Sequence, residues 1–202
     1  MSKSTRIRTA ALLLGGVVVA TAAVVAVRLV PKIQKWRHLD ATYAERFASP
    51  AQLAPGLAGR RVLFHMKTGL NQDDSQICVG FNVIFAALEA GAEVDILFDA
   101  GSLLDLVGQR SSLAATGVPV RLKKVIAAQM NLPLEEMPDD YGQYLELLHE
   151  RGARVFANTG MSIVTGSAEQ VMAPLPSFTF VEPAPYAQIV QLLADADTVV
   201  VY

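Results

Sequence analysis

One thiol and three short polar segments carry the chemistry that this sequence could perform. Cys78 is the single cysteine, so the chain can form no intramolecular disulfide and no cysteine-clustered zinc or iron–sulfur site. A cysteine thiolate is a nucleophile that can carry sulfur or form a covalent intermediate. Cys78 is therefore the candidate catalytic residue.

A packing role for Cys78 is the competing interpretation, and the sequence favours it. Cys78 flanks the apolar stripe of a predicted helix, next to Phe81 and Phe85, and buried thiols behave as small hydrophobic groups. If Asp73 caps that helix, Cys78 lies beyond the first turn, where the helix dipole lowers a thiol pKa very little. We expect a protein that is not an enzyme, with a reactive Cys78 as the alternative.

The polar segments supply candidate ligand-binding residues, because each follows a predicted strand. Ligands of open parallel sheets bind outside the carboxyl ends of the strands, where the strand order reverses. The first and third segments share one crevice if the first and third strands are neighbours. The alternative is that these residues only form turns and helix caps. The predicted ligand-binding residues are Lys67, Thr68, Asn71, Asp99, Asn158, Thr159 and Met161.

The three histidines are far apart in the sequence, and none has a metal-type partner four residues away. We interpret His65 as a hydrogen-bonded strand residue and His149 as a residue that the negative end of a helix stabilises. The chain also lacks the glycine-rich dinucleotide fingerprint and the P-loop spacing. We therefore predict no metal site and no cofactor.

The elements that must position these residues begin at Arg61. Short apolar runs alternate there with helical periods, a pattern typical of an α/β domain with a parallel sheet covered by helices on both faces. We expect about five strands. The predicted strands are Val62–Met66, Val94–Phe98, Arg154–Ala157, Phe178–Val181 and Thr198–Val201.

The N-terminal part has a different composition. Thr9 to Val27 are 19 uncharged residues between Arg8 and Arg28, and a helix of that length covers about 28 Å, near the thickness of a bilayer core. We predict a basic tail at 1–8, a transmembrane helix or signal anchor at 9–30, a juxtamembrane linker at 31–59 and a folded domain at 60–202.

This membrane segment sets the expected location. We predict a single-pass membrane protein whose segment 9–27 lies in the bilayer and whose domain is extracytoplasmic, in the periplasm. One alternative is a domain held at the cytoplasmic face, because basic residues flank the segment almost equally on both sides. The other is a secretory signal cleaved after Ala20-Thr21-Ala22, which would release the domain. With 17 basic against 19 acidic residues, the chain has no concentrated basic face, so we expect no nucleic-acid partner.

Three stretches resemble the DsrE/DsrF-like sulfur-relay family. They are RVLFHMKTGLNQDDSQICVGFNVIFAALEAGAEVDILF from Arg61, GARVFANTGMSIVTG from Gly152 and IVQLLADADTVVVY from Ile189. The resemblance implies a flavodoxin-like parallel sheet and assembly into a homo-oligomer. In active family members it also implies a cysteine in the loop after the third strand that carries a persulfide.

This chain departs from the family at that loop. Its residues are Ala157-Asn158-Thr159-Gly160-Met161, with no cysteine, and a thioether cannot hold a persulfide because sulfur transfer needs a thiolate. We therefore expect a membrane-anchored DsrE-like domain that binds a small ligand or a partner protein of sulfur metabolism without catalysis. The alternatives are a sulfurtransferase or sulfur carrier that uses Cys78, and a structural oligomeric scaffold.

Overall fold

The computed structural model describes residues 55–107, 112–130, 132–172, 175 and 178–202. Within these ranges the chain forms five strands, eight α-helices and two short 3-10 helices. The strands are β1 Arg61–Met66, β2 Glu93–Phe98, β3 Arg154–Asn158, β4 Val181–Ala184 and β5 Thr198–Val201. The helices are α1 Leu70–Glu89, α2 Ala100–Leu106, α3 Ser112–Ala115, α4 Val120–Met130, α5 Tyr141–Glu150, α6 Thr159–Val164, α7 Ala168–Met172 and α8 Tyr186–Asp195, and the 3-10 turns are Pro55–Leu57 and Leu134–Glu136.

The five strands form one parallel sheet in the order β4-β3-β2-β1-β5. This architecture confirms the predicted five-stranded parallel α/β fold and is consistent with a flavodoxin-like domain. A crevice shared by the first and third polar segments required β1 and β3 to be neighbours. They are not neighbours, because β2 lies between them. Each connection from β1 to β4 moves one strand further in the same direction, and only the last one returns the chain to the other side of β1.

Helices cover both faces of the sheet, as predicted, but unequally. The larger core lies between α1, α5 and the strand face that carries Phe64, Ile96 and Val155. The alternate strand residues Leu63, Leu97 and Phe156 point to the second face. There, α8 is the helix that covers them, through Ile189 and Leu192. We call this side of the sheet the α8 face.

Helix α1 follows its sequence pattern closely. The stripe residues Ile77, Phe81, Ile84 and Phe85 are fully buried, and Gly91 ends the helix region with φ +81°, a conformation that favours glycine. Asp73 has an extended backbone inside the helix and its Oδ1 accepts a hydrogen bond from the Ser75 backbone N–H at 3.0 Å. Asp73 therefore caps the main part of α1, and residues 70–72 form a separate first turn.

Strand β4 lies three residues later than predicted. Phe178 is buried in the larger core before the strand begins, and the strand itself is Val-Glu-Pro-Ala. Proline has no N–H to donate, and Pro183 is tolerated in β4 because this is an edge strand, where one side of the backbone needs no partner.

The predicted tail at 1–8, the transmembrane segment at 9–30 and the linker up to residue 54 lie outside the described residues. In the part of the chain that is described, no helix is both long enough and apolar enough to cross a bilayer.

A buried carboxylate joins α1 to α2. Asp105 is 2% exposed, and its Oδ2 accepts a hydrogen bond from the Leu70 N–H at 2.8 Å. Burial raises the pKa of Asp105 to about 6, although the bonds from Leu70 N–H and the Ser112 hydroxyl act in the opposite direction. The ionised form of Asp105 is therefore costly to the folded state.

We predict that Asp105→Asn stabilises the domain at pH 7.5 and has a much smaller effect at pH 4.5. The folded-state pKa near 6 lies above the ordinary value of 3.8, so the contribution of Asp105 to the free energy of unfolding falls as the pH rises between these values and stays low above 6. The gain at pH 7.5 is at most ~3 kcal/mol for a shift of this size. Urea denaturation measures it.

Glu146→Gln is the matched control, because Glu146 is exposed on α5. We expect its effect on the urea midpoint to be small at both pH values. A stability gain from Asp105→Asn that is equal at pH 4.5 and pH 7.5 would contradict the assignment of a raised pKa to this carboxylate.

Candidate functional site

Three polar side chains form a row across the carboxyl ends of β1, β2 and β3. His65 Nε2 lies 2.9 Å from Asp99 Oδ2, and Asn158 Nδ2 donates to Asp99 Oδ1 at 2.9 Å. We call these three residues the polar row. Asp99 follows the middle strand and binds both outer members, so the row connects β1 and β3 across the strand that separates them.

The position of the row follows from the alternation of side chains along a strand. His65, Asp99 and Asn158 each stand two residues beyond an apolar residue of the α8 face, namely Leu63, Leu97 and Phe156. The row therefore lies on the α8 face, at the carboxyl edge of the sheet. The strand order reverses between β1 and β5, and open parallel sheets bind ligands at such a reversal. Of the polar row, only His65 stands on one of these two strands.

Asp99 is the centre of the row and is held in the ionised form. Burial alone acts to raise the pKa of Asp99, but hydrogen bonds from His65, the Ala100 N–H and Asn158 outweigh it and lower the pKa. The Ala100 N–H bond to Oδ1 is 2.7 Å long. Ala100 itself has φ +46°, a left-handed conformation that costs an L-residue about 1 kcal/mol. The backbone is thus strained at the residue that follows Asp99.

The ionised carboxylate determines the tautomer of His65. Because Asp99 can only accept, His65 Nε2 carries a proton and donates it. Among the described residues, no hydrogen bond is formed by His65 Nδ1, which can therefore accept one when the ring is neutral. A carboxylate that orients an imidazole in this way is a common feature of acid–base and binding sites.

The backbone around the row is closely packed. A Cβ on Gly69 would lie 2.6 Å from the carbonyl oxygen of Gly101, and a Cβ on Gly160 would lie 2.2 Å from the Tyr186 ring. The loops after β1 and β2 therefore touch backbone to backbone. Tyr186, at the start of α8, covers the start of α6.

The structure brings some of the predicted ligand-binding residues into the row and leaves others outside it. Asp99 and Asn158 belong to the row, and the Met161 N–H donates to Asn158 Oδ1 at 3.0 Å. Thr159 instead donates to the Ala184 carbonyl at 3.2 Å. Of the remaining three, Lys67 is exposed at the end of β1 and Asn71 is exposed in the first turn of α1. Thr68 is half-buried, and its backbone N–H donates to the Tyr202 carbonyl.

His65 is the member of the row that the sequence interpretation undervalued. It was expected to be a hydrogen-bonded strand histidine, which it is, and its partner is Asp99 of the polar row. The available signal was its place at the end of the first strand, just as Asp99 follows the second strand. His149 has the predicted position in the last turn of α5, where its Nδ1 donates to the Ala153 carbonyl at 3.0 Å.

Cys78 lies on α1, half-buried against the larger core. Burial raises the pKa of its thiol, a hydrogen bond with Tyr141 lowers the pKa by less, and the charge of Asp74 adds a smaller increase. Its polar neighbours are thus Tyr141 and Asp74 rather than the residues of the polar row. A raised pKa leaves little thiolate at neutral pH, and the thiolate is the nucleophilic form.

We predict that native protein reacts with a maleimide at Cys78 at least about tenfold more slowly than unfolded protein, because partial burial and the raised pKa both reduce the available thiolate. The measurement is the rate of labelling at pH 7, with and without guanidinium. Cys78→Ser combined with Ala128→Cys is the control, since residue 128 is exposed on α4. Equal labelling rates for native Cys78 and native Cys at 128 would contradict the prediction.

No group of three or more histidine, cysteine, aspartate or glutamate side chains suited to a metal ion occurs among the residues that are described.

Comparison with known proteins gives little. No protein-family model matches the chain, and no curated protein matches it. The crystal structure of the YchN protein from E. coli is similar over 71% of this chain and 99% of that one, with 12% identity and a TM-score of 0.45. These values are too low to relate the two proteins in function.

Proposed function

We propose that residues 60–202 form a DsrE-like domain that binds a small ligand at the polar row, without thiol chemistry, in a protein associated with sulfur metabolism. The single observation that carries this proposal is the bond from His65 to Asp99, which leaves Nδ1 of an oriented imidazole without a protein partner among the described residues. The resemblance of three sequence stretches to the sulfur-relay family supports the choice of domain family.

The chemistry around the row favours a small oxyanion as the ligand. The charge of Asp99 is already compensated by three donors, so it repels an incoming anion less than a free carboxylate would. His65 contributes a donor when its ring is protonated, and Lys67 places an exposed ammonium group at the end of the same strand. Oxyanions of sulfur are of the size and charge that such a cluster can hold.

The alternative is an enzyme, a sulfurtransferase or sulfur carrier that uses Cys78. The raised pKa and half-buried position of this thiol favour the binding function instead. In active family members the loop after the third strand carries the persulfide cysteine. Here that loop ends in Met161, whose backbone N–H donates to Asn158 Oδ1. That loop therefore holds the Asn158 side chain of the polar row through its main chain.

We predict saturable binding of radiolabelled thiosulfate to the full chain in detergent micelles at pH 6.5, measured by equilibrium dialysis. His65→Gln should weaken binding at least about tenfold, which corresponds to about 1.4 kcal/mol, because it removes the protonatable donor. His149→Gln is the matched control and should change the affinity less than twofold. Circular dichroism confirms that both variants are folded.

Two results would contradict this proposal. One is the absence of saturable binding of thiosulfate, sulfate and phosphate up to about 10 mM. A dissociation constant above that concentration is weaker than that of ordinary ligand sites. The other is uptake of sulfane sulfur from polysulfide at Cys78 and its transfer to an acceptor thiol, with both lost in Cys78→Ser. The second result would establish the sulfurtransferase alternative.

We also propose that segment 9–30 anchors the protein in the membrane as a retained single span with the domain in the periplasm. The uncharged run at 9–27, 19 residues long, is longer than the apolar part of a cleaved signal requires. We predict that alkaline phosphatase fused after Tyr202 is active in a bacterial host and stays in the membrane fraction. Green fluorescence from a fluorescent protein fused at that position would place the domain in the cytoplasm, and activity in the soluble fraction would indicate cleavage.

A further inference from the structure

We infer that a cavity between α4 and α5 is a separate binding site, for a small zwitterion with an apolar side chain, namely an amino acid or a dipeptide. The cavity has a volume of about 540 Å³, within the range of ligand-binding pockets. Its walls come from the start of α4, the 3-10 turn Leu134–Glu136, the loop that follows this turn, and the start of α5. None of its residues belongs to the polar row, so this inference is independent of the proposed function.

A buried ammonium group indicates that the ligand carries a hydrogen-bond acceptor. The Lys123 side chain is 10% exposed and pairs with Asp139, whose own side chain is 87% exposed. The bond to Asp139 Oδ1 is the one hydrogen bond that Lys123 Nζ forms within the described ranges, whereas an ammonium group has three hydrogens to donate. Because unsatisfied donors are costly away from water, the remaining hydrogens favour an acceptor inside the cavity.

A second donor is tied to the same aspartate. The Asp139 N–H donates to Gln143 Oε1 at 3.0 Å, so the oxygen of this amide is occupied and its NH₂ group is left to donate. Asp139 thus holds Lys123 through its side chain and Gln143 through its backbone, and both of these residues line the cavity. An ammonium group and an amide NH₂ arranged in this way suit a carboxylate, which forms strong hydrogen bonds with charged donors.

Two glutamates supply the opposite charge. Glu135 and Glu136 line the cavity and are exposed on the 3-10 turn. Asp139 is already paired with Lys123, whereas neither glutamate side chain forms an ion pair with another residue that the structure describes. The cavity therefore carries more acidic than basic groups. It repels a simple carboxylic acid and attracts a ligand that also has an ammonium group, so the ligand that fits is a zwitterion.

The rest of the lining is apolar and selects the side chain of the ligand. Val120 is 62% and Leu134 is 41% exposed, whereas Met137 is buried, and all three line the cavity. An aliphatic ligand side chain would cover the two exposed residues and remove them from water, which is favourable. An apolar lining with a few polar groups that fix the orientation of the ligand is the usual composition of a small-molecule site.

The test is equilibrium dialysis of radiolabelled leucine and leucyl-leucine against the full chain in detergent micelles at pH 7. We expect saturable binding of at least one of them. Lys123→Met should weaken it at least about tenfold, because the carboxylate loses its charged donor. Lys124→Met is the matched control, since Lys124 is the adjacent lysine of α4, is exposed and does not line the cavity. The control should change the affinity less than twofold.

A second pair of variants applies if Lys123→Met does not fold. Glu135→Gln with Glu136→Gln changes only exposed side chains and should weaken binding at least about tenfold, because the ammonium group loses its partners. Glu146→Gln, exposed on α5 and outside the cavity, is its control and should leave the affinity unchanged.

Competition separates a zwitterion site from a site for one charge. 4-Methylpentanoate and isopentylamine each lack one charged group of leucine, and each should compete at least about tenfold less well than the unlabelled zwitterion. Equal competition by either analogue overturns the inference. So does the absence of saturable binding up to about 10 mM, or binding that the folded Lys123 and glutamate variants leave intact, whatever the outcome of thiosulfate binding at the polar row.

Discussion

The ionised carboxylate of Asp99 is the group on which the arrangement of the site depends. It stands at the end of the middle strand and is bonded by groups from three consecutive strand ends, His65, Ala100 and Asn158. A carboxylate in this position would be costly without those donors, because partial burial disfavours the charged form. The hydrogen bonds to Asp99 orient the imidazole of His65 and fix the amide of Asn158. The oxygen of that amide in turn caps α6.

Much of the fold was predictable because local patterns carry the information. The apolar stripe of α1 and the cap of α5, where Asp140 accepts from the Gln143 N–H at 2.8 Å, are local features. Strand order is a global property, and nothing in an apolar run of four to six residues says which strand will lie beside it. β4 shows a related difficulty, since Pro183 is tolerated only because the strand is at an edge, which the sequence pattern cannot reveal.

The site was predictable in part for the same reason. Asp99 and Asn158 were identified because residues that follow parallel strands gather at one edge, whatever the order of the strands. His65 precedes the end of its strand, so its role depended on knowing which partner lies on the neighbouring strand. Thr159 and Asn71 have the right residue types and sequence positions, but Thr159 bonds to the Ala184 carbonyl and Asn71 points to solvent from the first turn of α1.

The unequal covering of the sheet has a consequence for local opening. Helix α8 buries only Ile189 and Leu192 and has no side-chain cap at its start, whereas the opposite face is sealed by several helices around large aromatic residues. The hydrogen bonds of α8 should therefore open to amide exchange well before those of the strands beneath it. Since the polar row is attached to the strands and not to this helix, detachment of α8 would widen the approach to His65 while its bond to Asp99 remained in place.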